Sequence, residues 1–468
     1  MDERFYSRPL DIHRLSEYPE VQAVMSHLFD DMKSLNLIGK SPRAKVLKHL
    51  KVVVLDLYIA YLQDPKLFIG YPRSPRSFVK GTRFNQLFIG YRPMMRVVDG
   101  LEDLGFIENH KGFFDQDRQT GFQSRMRAAP SLIDLIEKGD VTPLMVSYDL
   151  GETIILRDTD DNDLSFPETE ETRAISDQVT SYNKFLSEHR ISLSLDTEEI
   201  RKVLLKTKSS SIDYTRTQLC RIFSQDFTSG GRYYKGWWQE VPSELRRYIT
   251  IDGVNTSELD YSGQSLGLLY AFKGHERVWL KGEGDPYAIE GGIGVDRALM
   301  KQVFITCVNA ASRDQAVLSI RGDINKGYSA LSSTTVFIDT LIDATITNHP
   351  DISEYFFSSG WAGLQYQDSK IAEYVLKHMQ AYGYPALPIH DSFVTQDRHL
   401  GQLFSLMDEA YRMLGVESIP DIKLIKGANT TCEDPCLESL WEQMDKKRVL
   451  KQNELADLKR LENLPESS

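Results

Sequence analysis

Three stretches of this 468-residue chain bring together side chains that could act on a phosphate or a metal ion. In the first, Ser257 to Ala271, the pattern predicts a strand ending at Asp260, a tight turn at Ser262 and Gly263, and an apolar helix from about Leu266. One carboxylate then stands at an exposed strand end, a position that suits a cation ligand, a turn or a helix cap. The second, Tyr384 to Val394, sets His390 and Asp391 among Leu387, Ile389, Phe393 and Val394, which predicts a hairpin. A polar pair inside such a hairpin is costly to bury unless something satisfies it. Two Mg²⁺ ions shared with Asp260 would do so, and a solvated hairpin tip is the alternative. Between them, Arg297 and Lys301 are four residues apart, so on a helix they share one face and can clamp a triphosphate. The same spacing is also common on solvated helices.

Elements to position these residues are legible around them. Leu47, Leu50, Val54, Tyr58 and Leu62 predict a helix over residues 44–62. Arg92-Pro93 opens a second, lined by Met94, Val97, Val98, Leu101 and Leu104 and stopped by Gly105. Two short strands follow, at Phe106-Ile107 and Gly121-Phe122, on either side of a polar loop from Asn109 to Thr120. This order resembles a winged-helix module, with Tyr91 to Leu104 as the recognition-type helix and Asn109 to Thr120 as the wing. Arg92, Arg96, Arg118, Arg125 and Arg127 would then meet phosphates, or else form a solvated surface. The acidic residues Asp158, Asp160, Asp161, Asp163 and Glu168 predict an acidic linker or an exposed loop and a boundary, with a helix from Thr172 to His189 beyond it. Leu437 to Leu464 reads as an exposed or partner-binding helix.

With 41% hydrophobic and 26% charged residues the chain has the make-up of a globular protein of two or three domains. Its apolar runs are too short to span a bilayer and its first residues lack an apolar signal core, so no membrane partner and a cytoplasmic location are expected. Cys220, Cys307, Cys432 and Cys436 are too scattered for a disulfide framework. The closest pair, Cys432 and Cys436, has no neighbouring Cys or His to complete a zinc site. A net charge of −12 argues against coating nucleic acid indiscriminately, yet leaves room for a local basic channel.

Taken in order, Asp260-Tyr261-Ser262, Arg297 with Lys301, and His390-Asp391 resemble motifs A, B and C of the family-A DNA polymerases and the related phage-type single-subunit RNA polymerases. Upstream, Gly231-Arg232 and then Gln239, Val241 and Pro242 resemble the stretch that precedes motif A in those DNA polymerases. The resemblance covers roughly residues 230–396. It implies an α+β fold: a right-hand palm with an antiparallel sheet and helical fingers at 229–436, after a winged-helix-like domain at 1–145. A linker and thumb-like helical region would occupy 146–228, and a charged C-terminal helix or tail 437–468. It further implies two Mg²⁺ or Mn²⁺ ions held by Asp260, Asp391 and the backbone carbonyl of Tyr261. Arg297 and Lys301 would hold the incoming triphosphate, with Lys301 donating a proton to the leaving group, and Tyr261, Ser265 and Asn309 would also contact the nucleotide. His390 would lie near the primer terminus, and Arg232 and Gln239 would contact the nucleic acid.

Three departures from the family pattern carry meaning. Where those DNA polymerases place a glutamate against the ribose 2′-hydroxyl, this chain has Ser265, which predicts weak discrimination between sugars. Asn309 replaces the tyrosine that follows the motif B lysine, and Ala310 the glycine after it, so the nucleotide-facing surface is altered. Ser392 follows Asp391 where most of those DNA polymerases carry glutamate. No paired-carboxylate exonuclease pattern is recognisable upstream. The expected function is a template-directed nucleic-acid polymerase acting on nucleoside triphosphates, without proofreading. Alternatives are a template-independent nucleotidyl transferase and an inactive palm within a winged-helix DNA-binding protein, and the C-terminal helix would serve a protein partner.

Overall fold

A computed structural model describes residues 7–78, 89–115, 120–207, 212–274, 287, 295, 297–327, 331–358, 361–415 and 421–430. Arg118, Asp296, Cys432, Cys436 and the expected C-terminal helix at 437–468 lie outside them. The chain is mixed α+β and forms two compact units. The first contains Met1–Ile155, Asp163–Cys220 and Tyr234–Arg246, and the second contains Leu156–Asn162, Arg221–Tyr233 and Arg247–Ser468.

In the first unit, Arg43–Gln63 is the central helix, because its apolar residues run almost without interruption from Val52 to Ala60 and leave no face for solvent. Helices Pro19–Ser34 and Tyr91–Asp103 pack against it. Four strands stand in the order Ser7–Pro9, Phe68–Tyr71, Ser124–Ala128 and Ile107–His110. Tyr91–Asp103 is strongly two-faced, burying Met94, Val97, Val98 and Leu101 while Arg92 and Arg96 stay exposed. Gly105 at φ 72° ends it, a left-handed turn that glycine adopts without steric cost. The expected pair of strands is in fact four, since Phe113–Asp115 and Thr120–Phe122 form a further hairpin between Ile107–His110 and Ser124–Ala128.

Several expectations change here. Arg125 is buried, and Arg127 is paired with Glu108 at 2.6 Å and lies over the Phe68 ring, so neither presents a loose charge to phosphates. Of the two readings of the acidic segment, the exposed loop holds and the open linker does not. Asp158 accepts backbone N–H groups from Asp160 and Asn162 and closes an ordered turn, with short strands Ile154–Arg157 and Asp163–Leu164 on either side. Trp237 and Trp238, whose rings suit either a core or the stacking of bases, are fully buried, with Trp237 edge-on to Tyr214, and so belong to the core. Their packing carries residues 234–246, Gln239 included, into the first unit, where the expected division had put them with residues 229–436.

A buried charge network also crosses this unit. Asp56 receives Arg14 at 2.6 Å and Arg8 at 2.7 Å, and accepts the Asp11 N–H. Arg14 also pairs with Asp213, which takes the Thr215 hydroxyl. Arg14 and Asp56 have no exposed side-chain surface.

The second unit is built on an antiparallel sheet. Val254–Tyr261 pairs with Ser392–Gln396, which pairs in turn with Ala386–Ile389. On its other edge Val254–Tyr261 takes Ile249–Ile251 and Ile422–Ile425. Helices Gln264–Phe272, Trp361–Ala381 and Leu400–Arg412 pack together and onto these strands. A separate helical group, Arg297–Asn309, Arg313–Gly327 and Thr335–Asn348, packs around Phe304, which meets His349 and Phe356 edge-on. No helix among the described residues is long and apolar enough to cross a membrane.

Replacing Asp56 by alanine takes a carboxylate from Arg8 and from the fully buried Arg14, which is left with Asp213. Loss of one partner of a buried pair costs about 3–5 kcal/mol, so Asp56→Ala should lower the urea midpoint of the first unit's unfolding by a corresponding amount. A midpoint equal to wild type would mean that the network is solvated and contributes nothing.

Candidate active site

The end of the sheet in the second unit is where the acidic motifs meet. Ile389 pairs with Ser392 across a two-residue turn, leaving His390 and Asp391 at the tip. His390 takes φ 57°, within reach of a non-glycine residue only in such a turn. The pair therefore stands at the tip, His390 exposed and Asp391 half-buried, and not inside the hairpin among apolar side chains. Burial of the pair itself is thus no argument for a cation.

Register supplies a better one. Asp260 lies directly opposite Ser392, and the Tyr261 N–H donates to the Asp391 carbonyl at 3.4 Å. The two acidic motifs are thus cross-strand neighbours at one sheet end. On the other edge Asp260 faces Lys423. The Asp260 carboxyl is pushed up to about 7 by its burial and by the charges of Asp391 and Glu258, against the pull of Lys301 and Lys423. Lys301 is exposed on helix Arg297–Asn309, so this pull brings the basic motif within electrostatic reach of the acidic pair.

Other expected residues fall at varied distances from this centre. Arg297 shares the exposed face of Lys301, with its guanidinium 5.2 Å from the centre of the Tyr287 ring. Asn309 ends the same helix, roughly 12 Å along the axis from Lys301 at 1.5 Å per residue. Ser265 is exposed in the first turn of Gln264–Phe272. Tyr261 departs from the expectation of a nucleotide contact. Its ring is buried against Tyr411 and its hydroxyl donates to the Met407 carbonyl at 2.6 Å, which leaves only its backbone for the site.

Arg232 is likewise committed, through an ion pair with the buried Asp368. Burial pushes the Asp368 carboxyl up to about 6, Arg232 pulls it down and Asp391 pushes it up again, so this pair adjoins the acidic tip. The Gln239 carboxamide oxygen accepts the Gly236 N–H at 3.2 Å and caps its own short helix in the first unit. Arg92 and Arg96 also belong to that unit, where Arg96 donates to the Ser41 hydroxyl.

Four residues of the site escape the motif pattern. Glu258 precedes Asp260 by two in the same strand, and a period of two puts both on one face, so the strand reading contained it. Asp368 occupies the apolar stripe of Trp361–Ala381 beside Leu364, Ile371, Ala372 and Val375, and a charge in such a stripe was its signal. Lys423 and Gln264 carry none that a single sequence reveals.

The donors present fit a magnesium-type ion. Among the described residues no three His, Cys, Asp or Glu side chains converge into a complete metal cage. Two carboxylates completed by a carbonyl, water and substrate oxygens are, however, what such ions usually take. The Ser262 hydroxyl and the Gln264 carboxamide oxygen are buried without a hydrogen-bond partner among the described residues, while the amide of that glutamine lies against Asp368 and helps to stabilise its charge. Unsatisfied polar atoms next to crowded carboxylates are features that a hydrated cation relieves.

No family model matches the chain, and no curated protein matches it. Among solved structures, the POL domain of Pol1 from M. smegmatis, in complex with DNA primer-template and dNTP, aligns at 9% identity and a TM-score of 0.27. The alignment covers 90% of this chain and 67% of that one. So low a score establishes no shared fold.

The raised Asp260 value has a consequence for stability. Its folded value of about 7 exceeds the ordinary 3.8, so the folded chain holds a proton that the unfolded chain releases, and this site costs stability as pH rises from about 4 to 7. Asp368 adds a contribution of the same sign up to about 6. In EDTA, the melting temperature of Asp260→Asn relative to wild type should therefore climb between pH 5 and pH 8. Mn²⁺ should raise the wild-type melting temperature most above pH 7 and leave Asp260→Asn nearly unmoved. Equal Mn²⁺ shifts in the two proteins would remove Asp260 from the metal site.

Proposed function

We propose that the chain is a nucleic-acid polymerase that transfers nucleotides under template direction, with the second unit as palm and fingers and without proofreading. The observation that carries this reading is the register that sets Asp260 opposite Ser392, the residue after Asp391, so that the two carboxylates feel each other's charge with Lys301 in electrostatic reach of Asp260. Two carboxylates at one sheet end, opposed by a helix bearing exposed Arg297 and Lys301, supply the separate needs of nucleotidyl transfer. The acids hold divalent cations, and the bases hold a triphosphate.

Bound there, a pair of divalent ions lowers the pKa of an attacking 3′-hydroxyl and stabilises the leaving pyrophosphate. The chain's own residues do the rest. Asp260, Asp391 and the Tyr261 carbonyl hold the ions, and the buried Tyr261 ring keeps that strand end from shifting. Arg297 and Lys301 bind the triphosphate, and Lys301 is the group able to give a proton to the departing pyrophosphate. His390, exposed at the tip, meets the primer terminus. Asp368 orients Arg232 so that its remaining N–H groups face nucleic acid. In the first unit, the exposed pair Arg92 and Arg96 on Tyr91–Asp103 forms the phosphate-contacting face of a winged-helix-like module, and Gln239 supports the neighbouring segment.

Small Ser265, exposed in the turn after motif A, supports relaxed choice between ribose and deoxyribose. Exposed Asn309 offers no aromatic surface to a templating pair, and this favours template-independent transfer as the second reading.

Primer extension with Mg²⁺ or Mn²⁺ tests the assignment directly. Asp260→Ala and Asp391→Ala should each lower the rate by about 10²–10⁴-fold, the kinetic worth of several kcal/mol. Wild-type rates in both variants end the reading, and extension indifferent to an added template strand selects the second one. Separately, Ser265→Glu should shift the ratio of dNTP to NTP incorporation toward dNTP by at least about tenfold, the size of a modest steric discrimination. An unmoved ratio would take Ser265 out of sugar selection.

A further inference from the structure

Glu258 lies one strand repeat behind Asp260, and its surroundings are unusual for a carboxylate. It is 7% exposed, and its cross-strand partners are the apolar Val394 and Ile425. Burying a carboxylate between two such residues is costly unless it is hydrogen-bonded and its charge has a use. The hydrogen bond is there: the Ser392 hydroxyl donates to Glu258 Oε1 at 2.5 Å. Ser392 directly follows Asp391 and directly opposes Asp260, so Glu258 grips a residue that adjoins both acidic motifs. A glutamine could accept this hydrogen bond equally well. What glutamate adds is negative charge, felt at Asp260 together with that of Asp391. The lysines that counter them, Lys301 and Lys423, are exposed.

We propose that Glu258 is a positioning residue of the metal site. It fixes the hairpin tip through Ser392 and supplies, from the motif A strand, a third negative charge that raises the tip's affinity for divalent cations. This inference rests on the polymerase reading, since it assigns Glu258 to that reading's metal site.

The test is a Mn²⁺ titration of the full chain followed by thermal melting, with no nucleotide or primer present. Glu258→Gln keeps the shape and a hydrogen-bond acceptor, so its melting temperature in EDTA should equal or exceed that of wild type. Its half-saturating Mn²⁺ concentration should rise about tenfold. Combining Glu258→Ser with Ser392→Glu returns the charge from the neighbouring strand, and should bring that concentration to within about threefold of wild type. A Glu258→Gln midpoint within twofold of wild type overturns the proposal and leaves the polymerase reading standing. So does a Glu258→Gln protein that melts lower in EDTA, which marks a scaffold role, or a double variant that stays at the Glu258→Gln midpoint. Wild-type protein that Mn²⁺ does not stabilise at all overturns both.

Discussion

Side chains alternate between the faces of a strand, so the register of Val254–Tyr261 against Ser392–Gln396 decides whether any of this chemistry can exist. A slip of one residue would turn Asp260 away from its neighbours and leave Leu259 at the tip. Bonds at several points resist such a slip. The Thr256 hydroxyl donates to the Ile249 carbonyl, and that of Thr395 to the Pro385 carbonyl. Buried Asp397 takes hydroxyls from both Ser257 and Thr430, tying the outer strand region to the central one. Tyr261 adds the bond from its ring to Met407, across to helix Leu400–Arg412. Each anchor satisfies a polar group that would otherwise be buried unpaired. They act together to hold two like charges at one end of a sheet.

Holding those charges there also shapes the rest of the unit. Helix Trp361–Ala381 presents Asp368, Ser369 and Glu373 to the hairpin formed by Cys220–Ser224 and Gly230–Tyr234. Asp368 pairs with Arg232, while Arg221 reaches Ser369 at 2.9 Å, Glu373 at 3.1 Å and the Gly231 carbonyl at 2.7 Å. Gly231 takes φ 79°, and a Cβ there would stand 2.6 Å from the Phe223 ring and 3.0 Å from the Ser369 hydroxyl. Only glycine permits that approach. The Gly-Arg pair ahead of motif A thus has a physical reason: the glycine lets the hairpin close on the helix, and the arginine meets the buried acid there.

Much of this was legible in the sequence, for reasons that are local. Periodicity marked Arg43–Gln63 and Tyr91–Asp103 to within a residue or two, because their apolar residues line a continuous face. Gly105 and Gly263 marked turns through backbone geometry. What failed depended on partners distant in the chain. Arg125 and Arg127 looked like surface charge, and nothing near them in sequence announces burial or the Phe68 ring. Tyr261 was read by its place in a motif, whereas its side chain follows strand alternation into the core. Glu258 was within reach of that same alternation and was passed over because no motif contains it.

The charge arrangement also implies an order of events within the polymerase reading. A triphosphate approaching the metal-free tip would meet Glu258, Asp260 and Asp391 together, with the exposed Lys301 and Lys423 as the opposing charges at Asp260. Exposed ammonium groups are screened by water and salt over about 10 Å, while the half-buried and buried acids are screened less, so the balance at the tip opposes an anion. Arg297 and Lys301 alone are then a weak clamp. Nucleotide should bind productively only after, or together with, divalent cations, and the basic helix should gain its full hold once the tip is neutralised. The net charge of −12 fits such a chain, because the acids at its centre are there to be offset by ions and not by protein.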